Sequence, residues 1–227
     1  MTPRAIVRYA REKALDMIAI CDHNSARNVA ATARAGKASG VSVIAGMEIT
    51  SVEEVHFLGL FPSPEAAALA QEEVYARLVG VNDEDVFGVQ AVVNEYDEVE
   101  DLDERLLVGA TTLPAERVVH LIREVGGIAI ASHVDRTGFG IFGQLGFIPE
   151  SLKLDALEVS CRVSVEEVRQ RYRQARKYPC VTSSDAHVLE DIGRAVTLLR
   201  MAEPTFEEVT KAIRGSEGRE IYGYERT

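Results

Sequence analysis

The sequence predicts an α/β protein on a parallel sheet, either a barrel or a doubly wound sheet. Short, nearly all-apolar runs such as residues 18–21 and 128–131 recur along the 227-residue chain. Apolar side chains on both faces mark strands that are covered on both sides. Between these runs lie stretches with helical spacing, opened by N-cap signals and closed by glycine, and strands that alternate with helices build parallel sheets. No internal repeat or linker composition divides the chain, so one domain over residues 1–227 is expected.

Thr2 before Pro3 starts the first helix, with Ile6, Val7, Ala10 and Ala14 on one stripe. Residues 16–21 (DMIAIC) read as a strand buried on both faces, and residues 25–39 as an alanine-rich helix stopped by Gly40. Residues 41–45 and 54–60 are strands, and Ser63-Pro64 opens a helix to about residue 79. A helix over 113–125 ends at Gly126-Gly127 and feeds a strand at 128–132. Gly138, Gly140, Gly143 and Gly146 punctuate a loop carrying Phe139, Ile141, Phe142 and Phe147. A strand at 156–160 precedes the capping box Ser164-x-x-Glu167, which opens a helix to about residue 177. Residues 180–183 and 195–199 are strands, and Thr205-x-x-Glu208 caps the last helix.

Hydrophobic residues make up 46% and charged residues 27%, which excludes a disordered or collagen-like chain. No apolar run approaches the ~20 residues of a membrane span, so no membrane partner is expected. Cys21, Cys161 and Cys180 are too few and too scattered for a disulfide framework or a cysteine zinc site, and fit a cytoplasmic protein. The net charge is −11, but ten acids and no Lys or Arg lie between Leu78 and Glu104. Outside that stretch 26 acids face 25 bases, so the acidic part, about 80–108, reads as a solvated insertion on a near-neutral body.

Four of the five histidines fall at or beside strand ends. Asp22-His23 follows one strand, His133 follows another, and Asp185-x-His187 a third. His56 opens an apolar run beside Glu48. The carboxyl ends of parallel strands open onto one crevice, so these groups converge there. Imidazoles with carboxylates suit zinc, manganese or iron, and a carboxylate can bridge two ions. His120 lies inside an amphipathic helix and reads as packing or surface. Gly138-x-Gly140-x-x-Gly143 matches a dinucleotide fingerprint with Glu158 beyond it, but Gly146 and Pro149 would break the helix that fingerprint needs. A loop bordering the pocket is the preferred reading. Arg136 and Arg194, close in sequence to His133 and His187, suit bidentate phosphate binding.

The segments Ile20-Cys21-Asp22-His23-Asn24, Ala45-Gly46-Met47-Glu48-Ile49-Thr50, Val55-His56-Phe57-Leu58-Gly59-Leu60, Ala131-Ser132-His133 and Ser184-Asp185-Ala186-His187 resemble successive motifs of the PHP (polymerase and histidinol phosphatase) family. The resemblance covers nearly the whole chain. It implies a distorted (β/α)7 TIM-like barrel with up to three divalent metals, and phosphoester hydrolysis of the kind carried out by the stand-alone bacterial members. By the same resemblance Glu48 bridges two metals, His56 and His133 complete the second site, Asp185 belongs to the first, and His23 with His187 to the third. Asp22 matches a supporting position. The family's opening His-x-His strand end has no counterpart here, because the chain begins at the helix after it. The expectations are therefore a barrel without its first strand, fewer metals than the family's three, and weaker catalysis than a longer version.

These readings together predict a metal-dependent phosphoesterase with Asp22, His23 and Arg136 as catalytic candidates and Arg136 and Arg194 as substrate ligands. His23, Glu48, His56, His133, Asp185 and His187 would hold manganese, zinc or iron. The substrate expected is a small phosphorylated molecule or a nucleic-acid end, and not long duplex DNA, which needs an extended basic surface. The rivals are a non-catalytic metal- or nucleotide-binding module and a metal-dependent C–N hydrolase, since fold does not choose the chemistry.

Overall fold

The computed structural model describes residues 1–226. In chain order the elements are α1 (Pro3–Glu12), β1 (Met17–Ile20), α2 (Val29–Ser39), β2 (Ser42–Thr50), β3 (His56–Phe61), α3 (Pro64–Arg77) and the short α4 (Glu84–Phe87). There follow β4 (Ala91–Val93), β5 (Val99–Leu102), α5 (Ala115–Glu124), β6 (Ile128–Ala131), the short α6 (Ile141–Gln144) and β7 (Ala156–Val159). The chain continues with α7 (Val165–Arg171), a 3-10 turn at Arg173–Lys177, β8 (Cys180–Thr182), a 3-10 turn at Leu189–Asp191, β9 (Ala195–Arg200), α8 (Phe206–Arg214) and β10 (Glu220–Arg226).

Six strands form one curled, half-barrel sheet in the order β1-β2-β3-β6-β7-β8. The sheet is mixed, which corrects the all-parallel expectation: β3 runs antiparallel to both β2 and β6. Only residues 51–55 join β2 to β3, in a turn closed by Ser51 N–H to Val55 O at 2.9 Å. A parallel return needs a crossover of roughly a dozen residues or more. The described residues therefore give six strands here rather than the seven of a (β/α)7 barrel, and β9 and β10 pair as a separate antiparallel hairpin. β10 escapes sequence reading because its charged ends and Gly223 mask the alternation. β1 lies at the sheet edge, and Ala19 is exposed rather than buried on both faces.

Strand periodicity sorts the apolar residues into two layers. Val43, Ala45, Met47 and Ile49 of β2, Phe57 and Phe61 of β3, Ala129 and Ala131 of β6, and Leu157 and Val159 of β7 share a core with residues of α3, α5 and α7. Their neighbours Ile44, Leu60, Ile128, Ile130 and Ala156 face the other way, against Val209 and Ile213 of α8. Glu48, His56 and Glu158 carry the parity of this second, inner face. The charged groups thus occupy the end of a face whose remainder is apolar and plugged by one helix.

Two expected helices are shorter than their patterns. Residues 25–28 turn before α2, and the helix opened by Ser164, whose capping box is present as expected, gives way to the 3-10 turn after Arg171. The acidic stretch is docked rather than merely solvated. Arg27 reaches Asp101 at 2.7 Å and Arg34 reaches Glu95 at 2.9 Å, both from outside the run. Asn28 accepts from Val93 N–H at 3.0 Å and donates to Ala91 O at 3.2 Å, and Asp103 is buried with the Tyr75 hydroxyl on it at 2.7 Å. Composition could not show this, because every partner lies elsewhere in the sequence.

The closing helix carries a pH-sensitive tie. Glu208 accepts from Arg219 Nε and from Ala202 N–H, both at 2.7 Å, and its carboxyl is held down to about 2 by the Arg219 and Ala202 hydrogen bonds. A carboxyl depressed in the folded state stabilises above its ordinary range and loses that contribution as pH falls toward the folded value. The melting temperature of the wild type should therefore fall between pH 4.5 and about 2 more steeply than that of Glu208→Gln. Parallel curves from thermal unfolding across that range would refute the assignment.

Candidate metal centre

The centre is assembled on backbone hydrogen bonds at the strand ends. Beyond β1 the parallel ladder with β2 continues through Glu48 N–H to Asp22 O at 3.0 Å and Asn24 N–H to Glu48 O at 2.7 Å, which sets His23 opposite Glu48. Gly46 lets the strands approach, since a Cβ there would stand 2.8 Å from Ile20 O and collide with Cys21 Sγ. Asn24, fully buried with φ +49°, accepts from Thr50 N–H at 3.0 Å and donates to Leu107 O and Gly109 O at 2.8 Å. His56 pairs in register with Thr50 on the adjoining strand, so it stands on the same face as Glu48.

Glu48 is the hub. His56 Nδ1 lies 3.0 Å from Oε1, His133 Nε2 3.4 Å from Oε1, and His23 Nδ1 3.3 Å from Oε2. The His56 ring stands between the other two, with centroids 5.3 Å from His23 and 5.2 Å from His133. Burial alone would push the Glu48 carboxyl up, but His133 and His56 against its oxygens, with the charge of His23, hold it well below the usual range. Burial lowers His23, whereas at His133 the attraction of Glu48 outweighs burial and raises the imidazole.

Among the described residues the buried ring nitrogens His56 Nε2 and His133 Nδ1 have no hydrogen-bond partner, and His23 Nδ1 has only its contact with Glu48. Buried polar atoms are ordinarily satisfied, and imidazoles around one carboxylate are the donor set of a divalent transition metal. His23, Glu48 and His56 each offer an atom within 4.8 Å of the others. The sequence groups Glu48 with His56 and His133; the structure adds His23 to the same carboxylate. Residues fitting such an ion are therefore present.

The remaining candidates lie around this hub in different ways. Asp185 (φ +47°) meets Arg136 Nη2 at 2.5 Å, and His187 is largely exposed, its ring 6.0 Å from His23 and its Nδ1 3.8 Å from Asp185 Oδ1. Asp22 accepts from Asn28 Nδ2 at 3.4 Å rather than from the hub, and burial raises its carboxyl. Arg194 is taken by Asp191 at 2.7 Å on its own loop rather than by the histidine cluster. His120 is a surface residue 3.1 Å from Glu124. The glycine-rich segment forms a loop and the four-residue α6, without the long helix a dinucleotide site requires.

Glu158 is a residue of the candidate site that sequence reasoning misses. It is buried on the inner face, accepts from His133 N–H at 3.0 Å and from the Ser183 hydroxyl, and burial raises its carboxyl. An acid inside the apolar strand Ala156–Val159, two positions from Ala156 on the same face, is the available signal. Four non-glycine residues with positive φ cluster here, namely Asn24, His133 (+26°), Phe139 (+61°) and Asp185. Such conformations cost of order 1–3 kcal/mol each and concentrate at functional sites.

A family model described as PHP-associated matches residues 168–217. Two curated relatives align in part: the uncharacterized protein YqxK of Bacillus subtilis, 28% identical over 105 residues, covers 44% of this chain and 27% of that protein. The uncharacterized protein MJ1587 of Methanocaldococcus jannaschii, 34% identical over 77 residues, covers 34% of this chain and 44% of that protein. Among solved structures, the lesion-specific endonuclease EndoQ of Pyrococcus furiosus superposes with TM-score 0.72 and 19% identity over 99% of this chain and 54% of its own. Endonuclease Q in complex with a 27-mer duplex bearing an abasic lesion gives 0.68 and 20%, over 97% and 53%. A two-domain protein from Bacteroides vulgatus containing a predicted PHP-like metal-dependent phosphoesterase gives 0.55 and 15%, over 93% and 57%. The chain thus spans less than half of either curated relative and about half of each endonuclease structure.

Proposed function

We propose that this chain is a PHP-type metal-dependent hydrolase of phosphate esters, acting on a small phosphorylated molecule or a nucleic-acid end. The observation that carries the reading is the set of three imidazoles gathered on Glu48, of which His56 and His133 each keep a second, buried ring nitrogen with no partner among the described residues. His23, Glu48, His56 and His133 would hold the metal, with Asp185 and His187 beside them. A bound divalent ion supplies charge stabilisation at the phosphoryl oxygens and acidifies water at neutral pH.

The chain's own residues do the positioning. Glu48, ionised by its histidine contacts, fixes the rings in one cluster, and Glu158 holds the backbone from which His133 projects. Arg136 is held through Nη2 by Asp185, and like Arg194 it would take a phosphoryl oxygen only by sharing or leaving that carboxylate. Arg194 enters the reading as an outer phosphate contact only by leaving Asp191. The free thiols of Cys21, Cys161 and Cys180 suit a reducing cytoplasm. Outside the docked acidic stretch the near-neutral charge favours a compact substrate over long duplex DNA.

The test is release of phosphate or alcohol from a panel of nucleotides, sugar phosphates and short oligonucleotides, with manganese or zinc and then with a chelator. Turnover that appears with metal and vanishes with chelator is expected. Hydrolysis of cyclic amides alone would transfer the site to C–N chemistry, and metal binding without turnover of any substrate would make it a binding module.

A further inference from the structure

We propose that Phe139 is a stacking platform for a nucleobase on the substrate, an inference that rests on the phosphoester reading of the adjoining site and names its substrate class. One face of the Phe139 ring lies on His56, with centroids 4.4 Å apart and planes 24° apart, yet the residue remains 42% exposed. An aromatic ring half in water at the edge of a histidine cluster offers a π-face that any base can cover, and base–aromatic stacking recurs in single-strand binding.

The backbone presents this ring by construction. Phe139 has φ +61°, a conformation that L side chains rarely adopt. Its carbonyl accepts from His56 N–H at 2.9 Å, which pins the loop tip to the start of β3. Gly140 permits the turn, since a Cβ there would stand 2.5 Å from Arg136 O and 2.9 Å from His133 O. Glycine on both sides leaves Phe139 as the one side chain at the tip. The ring is thus held in place before any ligand arrives, which reduces the ordering cost of binding.

The chain has no tryptophan, so Phe139→Trp introduces a single tryptophan at the platform, excited selectively at wavelengths the tyrosines do not absorb. Its emission should be quenched saturably by adenosine 5′-monophosphate and left unchanged by ribose 5-phosphate. Equal responses to the two, or none to the nucleotide, would overturn the proposal. In parallel, Phe139→Ala and the apolar but non-aromatic Phe139→Leu should raise KM for nucleotide substrates by about 5- to 100-fold while leaving a base-free ester unaffected. Equal losses on both substrates would mean that the ring only orients His56, and would refute the platform. The fluorescence needs no turnover, so failure of the platform and failure of the hydrolase reading give different results.

Discussion

Glu48→Gln should weaken divalent-metal binding by more than about 100-fold and remove metal-dependent turnover, while the chain still folds. Loss of a group that merely supports a ligand costs about 10–100-fold, and Glu48 touches three of the proposed ligands directly. The amide keeps the size of the side chain but removes the charge, and its nitrogen would donate toward rings that now offer lone pairs. Wild-type protein should gain about 2.7 kcal/mol in stability at a metal concentration 100 times Kd, because the ion binds only the folded state. The variant should show none of that gain. Calorimetric titration with manganese, and melting curves with and without it, measure both effects. His120→Ala serves as the control, since that ring lies on the surface against Glu124. A Glu48→Gln protein with wild-type affinity would show that the histidines bind metal without the carboxylate.

The site is more legible in sequence than the sheet. His23 and His133 can be grouped because each follows the carboxyl end of a strand, whereas His56, at the start of β3, joins them and Glu48 only because β3 runs antiparallel to its neighbours. The direction of β3 is not legible, because an apolar run such as HFLGLF reads alike in parallel and antiparallel neighbours; only the short link at 51–55 distinguishes them. Glu158 escapes for the opposite reason. Its local pattern is present, but its significance depends on the His133 backbone and Ser183, both 25 residues away. Arg194 shows the converse, an arginine placed by motif near the site but claimed by a carboxylate three residues before it. Docking of the acidic stretch is hidden because Arg27 and Arg34 lie 74 and 61 residues before their partners Asp101 and Glu95.

Phe57→Ala should destabilise the protein by about 3–5 kcal/mol, the upper range for truncating a single core side chain. Phe57 is fully buried in the outer core with Met47, Ile49 and Phe61, beneath the helices α3 and α5. It pairs in register with Ile49 on one side and Ala131 on the other, so the truncation opens a cavity in the middle of the sheet. Helix packing on both flanks limits how far that cavity can collapse. For a chain of this length each kcal/mol is worth about 2–4 °C, so the melting temperature should drop by about 6–20 °C. Phe57→Leu, which retains most of the volume, should cost under about 1.5 kcal/mol. By contrast, Arg117 paired with Glu73 at 2.5 Å is partly exposed, and Arg117→Ala should cost no more than about 1 kcal/mol despite the short contact. Urea unfolding gives the comparison directly, as shifts in midpoint at constant slope. Because residue 57 points away from its neighbour His56, folded Phe57→Ala should bind metal with nearly wild-type affinity. A stability loss below about 1 kcal/mol, or one smaller than that of Arg117→Ala, would mean that the outer layer is not the structural core on which the candidate metal centre is mounted.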